Sequence, residues 1–401
     1  MVGRRHAVQG PLALRATGFR EELVRLGYSE AAASTHLALL RDLSTWLATE
    51  ELAPADLTAA QVKLFVDARR QAGHHGLITA RGAAPLLEYL VRLGVVPPPS
   101  RSLPSGLVEL LLEQYHDYLV SQRGLSEGEV TRHGRAAGLF VRSVAGTGDI
   151  DWAAVTARDV TCFVVRECSA RSRASACKLV SELRSFLRFA QLSGFTTVPL
   201  SQAVPPVATW SASSLPRWVP AEEVTALLAS CDRQQASGLR DFAILTLLVR
   251  LGLRAGEVAA MELDDIDWRA GQIVVHGKGR RDERMPLPDD VGEAMAGYLR
   301  HGRPRVTDRS VFLRLRAPLR GLSPQGVSCV VQHASQRAGL AVIGAHRLRH
   351  TAATEMLRAG ASLTEVGQAL RQRVASTTSI YAKVDHVALR ALARRWPGDA
   401  A

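Results

Sequence analysis

Four short segments in the last third of the sequence contain the side chains needed for one reaction. They are Gly-Leu-Arg254-Ala-Gly-Glu257, Gly-Lys278-Gly, His346-Arg-Leu-Arg349-His350 and Tyr381. Together they supply two permanent cations, one cation that can donate a proton, an imidazole and a phenol. These are the groups required to cut and rejoin a phosphodiester through a covalent phosphotyrosine without a metal.

The two arginines suit the non-bridging oxygens of a phosphodiester, where negative charge develops in the transition state. Arg254 and Arg349 each carry a planar guanidinium that stays ionised at any working pH. Both are predicted to lie near helix starts, where backbone N–H groups also favour an anion. Glu257 follows Arg254 by three residues on the same helical face, so it can orient a guanidinium.

The histidines His346 and His350 are four residues apart on one predicted helix, which permits a zinc site. We reject that interpretation because Arg347 and Arg349 would repel a dication and no third ligand follows at a typical spacing. His346, with an ordinary pKa of about 6.5, is better placed as a proton acceptor beside the phosphate. His350 is predicted to be a buried structural residue. We therefore predict no metal and no cofactor.

Lys278 stands between two glycines at the tip of a predicted hairpin, and Arg280, Arg281 and Arg284 follow it. A long ammonium side chain there can reach a DNA groove and protonate the leaving 5′-oxygen. The alternative is an ordinary polar turn. Tyr381 carries a phenol with an ordinary pKa of about 10, so it becomes a nucleophile only beside a base or cations.

The elements that must position these side chains begin at Trp218. Residues 220–223 predict a helix start, and residues 239–251 predict a long apolar helix that ends at Gly252. Three strands are predicted, at 272–276, 284–287 and 310–313, with the first two joined by a turn at 277–279. After Ser323 the pattern is helical. This part of the chain is therefore predicted to be mainly α with a small antiparallel sheet.

The first half of the sequence contains an internal repeat. Gly27-Tyr-Ser-Glu30 recurs as Gly124-Leu-Ser-Glu127, and residues 57–65 and 86–94 have similar counterparts at 155–163 and 186–194. Three ordered matches at nearly one offset favour a true duplication over chance similarity between Ala- and Leu-rich helices. Helical apolar stripes and the forms of capping boxes predict that each copy is a small helical bundle.

Proline-rich segments separate these parts. Residues 97–100 read Pro-Pro-Pro-Ser, and a second Ser- and Pro-rich stretch follows the second copy. Such composition is typical of extended, solvated linkers. We therefore predict a first helical domain at 1–100, a second at 105–203, a linker at 204–217 and the chemistry-bearing domain at 218–401.

Composition is consistent with a polyanionic partner, and equally with a generic basic protein from an Arg-preferring proteome. Of the 401 residues, 50 are Lys or Arg and 38 are Asp or Glu, which gives a formal net charge of +12. The five cysteines form no C-x-x-C pair, so neither a disulfide framework nor a thiolate zinc site is predicted. The N-terminal residues do not read as a signal peptide, and no membrane-length apolar run occurs. A reducing cytoplasm is the expected location.

With these motifs, residues 218–395 resemble the catalytic domain of the tyrosine recombinase (phage-integrase-like) family. The resemblance assigns Arg254, Lys278, His346, Arg349 and Tyr381 to its catalytic positions. It implies two helical SAM-like bundles, the second being the core-binding domain, followed by an α+β catalytic domain. It also implies a C-shaped clamp on double-stranded DNA, a 3′-phosphotyrosyl intermediate and a tetramer on paired sites, in which the segment after Tyr381 docks on a neighbour.

Two features depart from the usual pattern of that family. The family commonly has Leu-Gly-His nine residues before the tyrosine, whereas this chain has Leu370-Arg371-Gln372. Gln372 can donate a hydrogen bond to a phosphate oxygen but carries no charge. The second departure is the additional N-terminal copy, which favours a recombinase of a mobile element, acting in integration or excision, over a housekeeping resolvase.

Three other functions remain open at the level of the sequence. Gln372 permits a catalytically weak DNA-binding subunit that assembles with active recombinases of the same element. A type IB topoisomerase-like enzyme would share the cleavage chemistry but need no paired sites. A metallohydrolase is the most distant alternative.

Overall fold

The computed structural model describes residues 8–98, 106–145, 150–207, 218–277 and 281–371. They fall into two compact units, one formed by residues 1–98 together with 212–401, the other by residues 99–211. The chain is mostly helical with one three-stranded antiparallel sheet, which confirms the predicted fold class. None of the helices in these ranges combines the length and the apolar character that a bilayer crossing requires.

The first unit begins with a bundle of four helices. They are α1 (Ala16–Arg25), α2 (Glu30–Thr49), α3 (Ala59–Gln71) and α4 (Ala80–Arg92). The side chains of Ser29, Thr58 and Thr79 cap the last three by accepting backbone N–H groups. The apolar stripe of α2, which includes Leu39 and Leu43, is buried in the centre of this bundle.

The second unit is also a four-helix bundle. Its helices are α5 (Leu107–Asp117), which continues into a π-turn at Tyr118–Gln122, α6 (Glu127–Ala145), α7 (Ala157–Ser169) and α8 (Arg173–Leu192). Edge-to-face and tilted contacts of Tyr115, Phe140 and Phe186 fill its core. The packing continues past a short 3₁₀ turn at Leu200–Ala203 to the buried Val204.

The two bundles match each other helix by helix. The N-caps of their third helices, Thr58 and Thr156, both form complete capping boxes. Each bundle has a glycine with positive φ before its second helix and another after its last helix, at Gly27 and Gly94 and at Gly124 and Gly194. The same local signals at corresponding positions support the predicted duplication.

The remainder of the first unit carries the chemistry-bearing residues. Its helices are α9 (Ala221–Ala229), α10 (Ala236–Arg250), α11 (Ala255–Ala259), α12 (Asp289–His301), α13 (Pro324–Arg337), α14 (Ala345–Arg358) and α15 (Leu363–Ala369). Helix α10 is central and packs against α12, α13 and α14. Most of its apolar side chains, Ile244 and Leu248 among them, are fully buried. This burial fixes the end of α10, from which the chain runs directly into the Arg254 motif.

The sheet consists of β1 (Ile266–Asp267), β2 (Gln272–Gly277) and β3 (Arg281–Pro286) in the order β1-β2-β3. The predicted strands at 272–276 and 284–287 correspond to β2 and the end of β3. The predicted strand at 310–313 is wrong, because that segment makes only isolated bridges. The guanidinium of Arg303 donates to the carbonyls of Ser310 and Val311, which occupies acceptors that a ladder would use.

A loop of the C-terminal part of the first unit, residues 314–321, contacts the first bundle. The Leu319 amide donates to the Leu26 carbonyl at 2.8 Å, and Arg320 pairs with Glu88 at 2.7 Å. Gly27 has a φ of +77°, and a Cβ atom there would lie 2.3 Å from Leu319 Cδ1. The first bundle is therefore attached to the C-terminal part of its unit by backbone, ionic and apolar contacts.

Candidate active site

Arg254 lies in the turn between α10 and α11, at the N-terminus of α11. Its guanidinium donates through Nη1 to Glu257 Oε1 at 2.6 Å, and its backbone N–H donates to Glu257 Oε2 at 2.8 Å. The Arg254 side chain is 45% exposed, whereas that of Glu257 is 5% exposed. The carboxylate therefore anchors the arginine from below and leaves much of its side chain open to solvent.

Glu257 is ionised in this environment. Burial by itself raises the pKa of the carboxyl, but the Arg254 amide and the charges of Arg371 and Arg254 outweigh that effect, so the pKa is lowered. A fixed negative charge beneath two guanidinium groups sets their positions.

Arg349 lies on α14 and is 1% exposed. Its Nη1 donates to the Gly252 carbonyl at 2.7 Å, and its Nη2 donates to the Leu370 carbonyl. Gly252 has a φ of +58°, and a Cβ atom there would lie 2.6 Å from Leu370 Cδ2 and 3.2 Å from Ala352 Cβ. A residue without a side chain is thus needed for α14 and Leu370 to approach this turn closely.

His346 lies on α14 with Arg349, at the solvent-exposed end of the helix. Its pKa is lowered, first because partial burial disfavours the imidazolium and then because Arg349 and Arg254 repel a further cation. The ring is therefore neutral at pH 7 and can accept a proton. The positive charges of Arg254 and Arg349 thus both act on the His346 ring.

His350 is half-buried, and its ring lies edge-on to that of His346 with centroids 4.4 Å apart. Burial, His346 and Arg349 lower the pKa of His350 to about 4. Within the described ranges, no group of three His, Cys, Asp or Glu side chains is arranged to hold a metal ion.

Three predicted site residues, Lys278, Gln372 and Tyr381, lie outside the described residues. The elements beside two of them are described. Gly277 at the end of β2 pairs with Arg281 at the start of β3, so Lys278 falls between two paired strands. Gln372 directly follows Arg371, which is bound to Glu257. The structure thus brings together Arg254, His346 and Arg349 of the predicted set.

Sequence reasoning missed two features of this site: the residue Arg371 and the packing role of Gly252. Gly252 was recognised only as the end of a helix, and nothing local indicated that it would face Arg349. The one signal for Arg371 was that it stands where the resembled family commonly has the glycine of Leu-Gly-His, and it indicated no partner for the side chain. Both matter through contacts with distant segments.

His276, near the hairpin tip, lies between two carboxylates. Its Nδ1 is 2.7 Å from Asp282 Oδ1 and its Nε2 is 2.8 Å from Asp265 Oδ1. These hydrogen bonds, with the Asp282 bond the larger effect, raise the pKa of His276. The His276 ring therefore joins β2 to β3 and to the turn that precedes β1.

We expect His276 to titrate above the ordinary histidine value of about 6.5. Because its pKa is raised in the folded state, the stabilisation is complete below the unfolded pKa and is lost as pH rises through the folded pKa. A proton NMR titration of the His276 ring measures this value, and Asp282→Asn should lower it. A value at or below that of an unfolded peptide would contradict the bridging role.

Comparison with known proteins identifies two matching regions. Residues 217–387 match the phage integrase family, and residues 112–194 match the phage integrase N-terminal SAM-like domain. Over 397 residues the chain is 40% identical to the integrase/recombinase y4rA of Sinorhizobium fredii, covering 98% of this chain and 96% of that protein. Over 307 residues it is 31% identical to tyrosine recombinase XerD of Mycobacterium tuberculosis, covering 72% of this chain and 96% of that protein.

Solved structures show the same fold. The post-cleavage complex of the XerH site-specific recombinase with palindromic difH substrate matches with a TM-score of 0.57 at 18% identity, over 71% of this chain and 84% of that chain. The Tn1549 transposon integrase in complex with transposon right-end DNA matches with a TM-score of 0.54 at 14% identity, over 71% of this chain and 99% of that chain.

Proposed function

Because the chain belongs to the phage integrase family of tyrosine recombinases, and is therefore a site-specific DNA recombinase, we propose that it cuts and rejoins DNA through Tyr381 at the site around Arg254. One observation carries this assignment. Arg254, His346 and Arg349 come from two separate motifs, yet Arg349 is bonded to the carbonyl of Gly252, two residues before Arg254. The chain thus folds so that both arginine motifs meet at one point.

The two arginines have different parts in the proposed reaction. Arg254 is open to solvent and binds a non-bridging oxygen of the scissile phosphate with a guanidinium that Glu257 holds in place. Arg349 is buried and bonded to two carbonyls, so it contributes a fixed charge from beneath the site. Such preorganised charge stabilises the transition state without rearrangement during the reaction.

The phenol of Tyr381 attacks the phosphorus and loses its proton to neutral His346 in this proposal. The new bond joins the phenolic oxygen to the 3′-phosphate, and the bond to the 5′-oxygen breaks. Lys278 gives that oxygen a proton, so a free 5′-hydroxyl leaves. Attack of a 5′-hydroxyl on the phosphotyrosine reverses these steps and reseals the strand, which conserves the bond energy.

We also propose a role for each domain of the chain, the DNA that it binds and its location. Residues 105–203 act as the core-binding domain, residues 204–217 as a linker and residues 218–401 as the catalytic domain, while residues 1–100 are a duplicate bundle. The relative y4rA matches 98% of this chain, so the first bundle is included in that match. The DNA partner is a pair of duplex sites on which four subunits assemble, alone or with other recombinases of one element, in the cytoplasm at the nucleoid.

A mobile element is the proposed source of those sites. The Tn1549 integrase, a structural neighbour, is described as bound to transposon right-end DNA. The additional bundle supports the same view, because the 31%-identical match to XerD covers 72% of this chain but 96% of XerD. Integration or excision of such an element is thus the proposed biological reaction.

Covalent capture of DNA tests the proposed function. The site is first selected from a random-sequence duplex library by the purified protein, and a nicked suicide duplex that carries it is then incubated with the protein. Cleavage lets a short fragment escape, so resealing fails and a protein–DNA adduct accumulates. Tight binding without an adduct would instead indicate a non-cutting subunit, and relaxation of plasmids that lack the site would indicate a topoisomerase-like enzyme.

Gln372→His is expected to fold normally and to increase the rate of adduct formation. Histidine can donate a charged hydrogen bond where the amide donates a neutral one. Since complete loss of such a donor costs about 10²–10³ in rate, the gain should be roughly tenfold or less. Single-turnover cleavage of the suicide duplex measures it, with Gln368→His on the exposed face of α15 as control. Slower cleavage by a folded Gln372→His protein would show that the site is built around the amide.

A further inference from the structure

Arg371 is a buried cation that the mechanism above does not use. Its side chain is 5% exposed and its Nη2 donates to Glu257 Oε2 at 2.8 Å. Its Nη1 lies near Met285 Sδ and donates to the Ala369 carbonyl at 3.3 Å. Its Nε has no partner among the described residues. Since a buried charge is costly unless it is paired, the carboxylate of Glu257 is what retains Arg371 in this position.

The backbone at Arg371 adds a second cost. Its φ is +55°, in the left-handed region that favours glycine and disfavours residues with a Cβ atom. Glycine would adopt this conformation freely, as in the usual motif of the family. The guanidinium must therefore provide an interaction that compensates both for its burial and for the conformation of its backbone.

Because of that interaction, the two carboxylate oxygens of Glu257 bind the side chains of two different arginines. Oε1 accepts from Arg254 Nη1 at 2.6 Å, while Oε2 accepts from Arg371 Nη2 at 2.8 Å and from the Arg254 backbone N–H at 2.8 Å. Arg254 is therefore held through one side-chain contact. Without Arg371, Oε2 of Glu257 could accept a second N–H from the guanidinium of Arg254. Arg254 would then pair with Glu257 through two parallel hydrogen bonds, which is the strongest arrangement of an arginine with a carboxylate.

We infer that Arg371 is a positioning residue for phosphate binding: by occupying one oxygen of Glu257, it limits Arg254 to the other and keeps the Arg254 guanidinium available to the scissile phosphate. The inference rests on the proposed function of Arg254. Arg371 itself does not touch DNA in this scheme, because it is buried. It also adds one positive charge beneath the site, so the three arginines outnumber the single carboxylate.

Two substitutions of Arg371 by side chains of similar length distinguish the effect of its charge from the effect of its packing. Arg371→Met and Arg371→Lys both keep a Cβ atom, so both have the same backbone cost, but only lysine keeps the charge that occupies Glu257. We expect Arg371→Met to slow single-turnover cleavage of the selected suicide duplex roughly tenfold, with duplex affinity unchanged. Arg371→Lys should cleave at close to the rate of the unmodified protein.

A second substitution at Glu257 provides the decisive readout. Glu257→Gln in the Arg371→Met background removes the charge that would capture Arg254, while the amide oxygen still accepts from the Arg254 backbone N–H. Glu257→Gln alone should slow cleavage, because Arg254 loses its charged anchor, whereas in the Arg371→Met background the same substitution should cause little further loss. A structural role for Arg371 predicts instead that the two losses add. Arg309→Met, which removes an arginine from an exposed pair with Asp264, is the matched control and should cleave normally.

Cleavage by Arg371→Met at the unmodified rate, or additive losses in the double variant, would overturn the inference. If Arg371→Met does not fold, Arg371→Gly removes the guanidinium with no backbone cost, and the same comparison of rates applies. Adduct formation by the unmodified protein is measured in parallel, so that failure of the proposed function can be distinguished from failure of the proposed role of Arg371. Its absence refutes the proposed function, whereas its presence together with full activity of the Arg371 variants refutes only the role of Arg371.

Discussion

Tyr381→Phe is expected to abolish covalent capture of DNA. The substitution removes one oxygen atom, and that atom is the proposed nucleophile, so no phosphotyrosine can form. The phenyl ring keeps nearly the same volume and the cationic groups remain, so duplex binding should be unchanged. Adduct formation on the suicide duplex and affinity for the intact duplex, measured side by side, separate the two effects.

Tyr118→Phe is a matched control for this experiment. Tyr118 is half-buried in the second bundle, where its ring stacks on Tyr115 with centroids 6.3 Å apart. The control loses the same oxygen far along the chain from the proposed site, so it should form adduct normally. An adduct that forms with Tyr381→Phe at the normal rate would refute the assignment of the nucleophile.

Arg349→Lys should have the second-largest effect, although it keeps the charge. The guanidinium donates to the carbonyls of Gly252 and Leu370 at once, and an ammonium on a flexible stem cannot reproduce that planar arrangement. Leaving a buried carbonyl without a partner costs about 1–3 kcal/mol, so the free energy of unfolding should fall by that amount. We expect cleavage to slow by about 10²–10³, because an ammonium that is not held by both carbonyls no longer keeps its charge fixed beneath the site.

Denaturant unfolding and single-turnover cleavage, both at a temperature where the variant is folded, measure these two effects. Arg347→Lys on the same helix is the comparison, since Arg347 is half-buried and donates to the Trp218 carbonyl at 3.3 Å. It should alter both quantities much less. Equal effects of the two substitutions would mean that Arg349 has no special part in the reaction.

Local signals in the sequence were sufficient for most of the helices. The Thr58-Ala-Ala-Gln61 segment has the form of a capping box and makes one, with Gln61 Oε1 accepting from the Thr58 amide at 2.8 Å. Gly94 and Gly194, which follow the last helices of the two bundles, have positive φ. Such features depend on three or four neighbouring residues, so a single sequence contains all the information they need.

The site residues stay predictions, and their arrangement could not be read from the sequence. That Arg254, His346 and Arg349 would meet followed from the chemistry they could perform together, and the resemblance to a known family supported it. The near-complete burial of Arg349 and the pairing of Arg371 with Glu257 were not predictable. The latter joins residues 114 positions apart in the chain, and no local pattern specifies such a contact. The strand expected at 310–313 failed for the same reason, since Arg303 takes its carbonyls.

The attachment of Leu319 and Arg320 to the first bundle changes the topology of the whole chain. The polypeptide leaves one unit after residue 98 and returns to it at residue 212. Residues 99–211 are therefore an insertion within the first unit, with both of their ends joined to it along the chain. In a chain without the first bundle, only the C-terminal end of that segment would be joined to the rest. The N-terminal bundle thus turns what would be a leading domain into an inserted one, whatever the extra bundle binds.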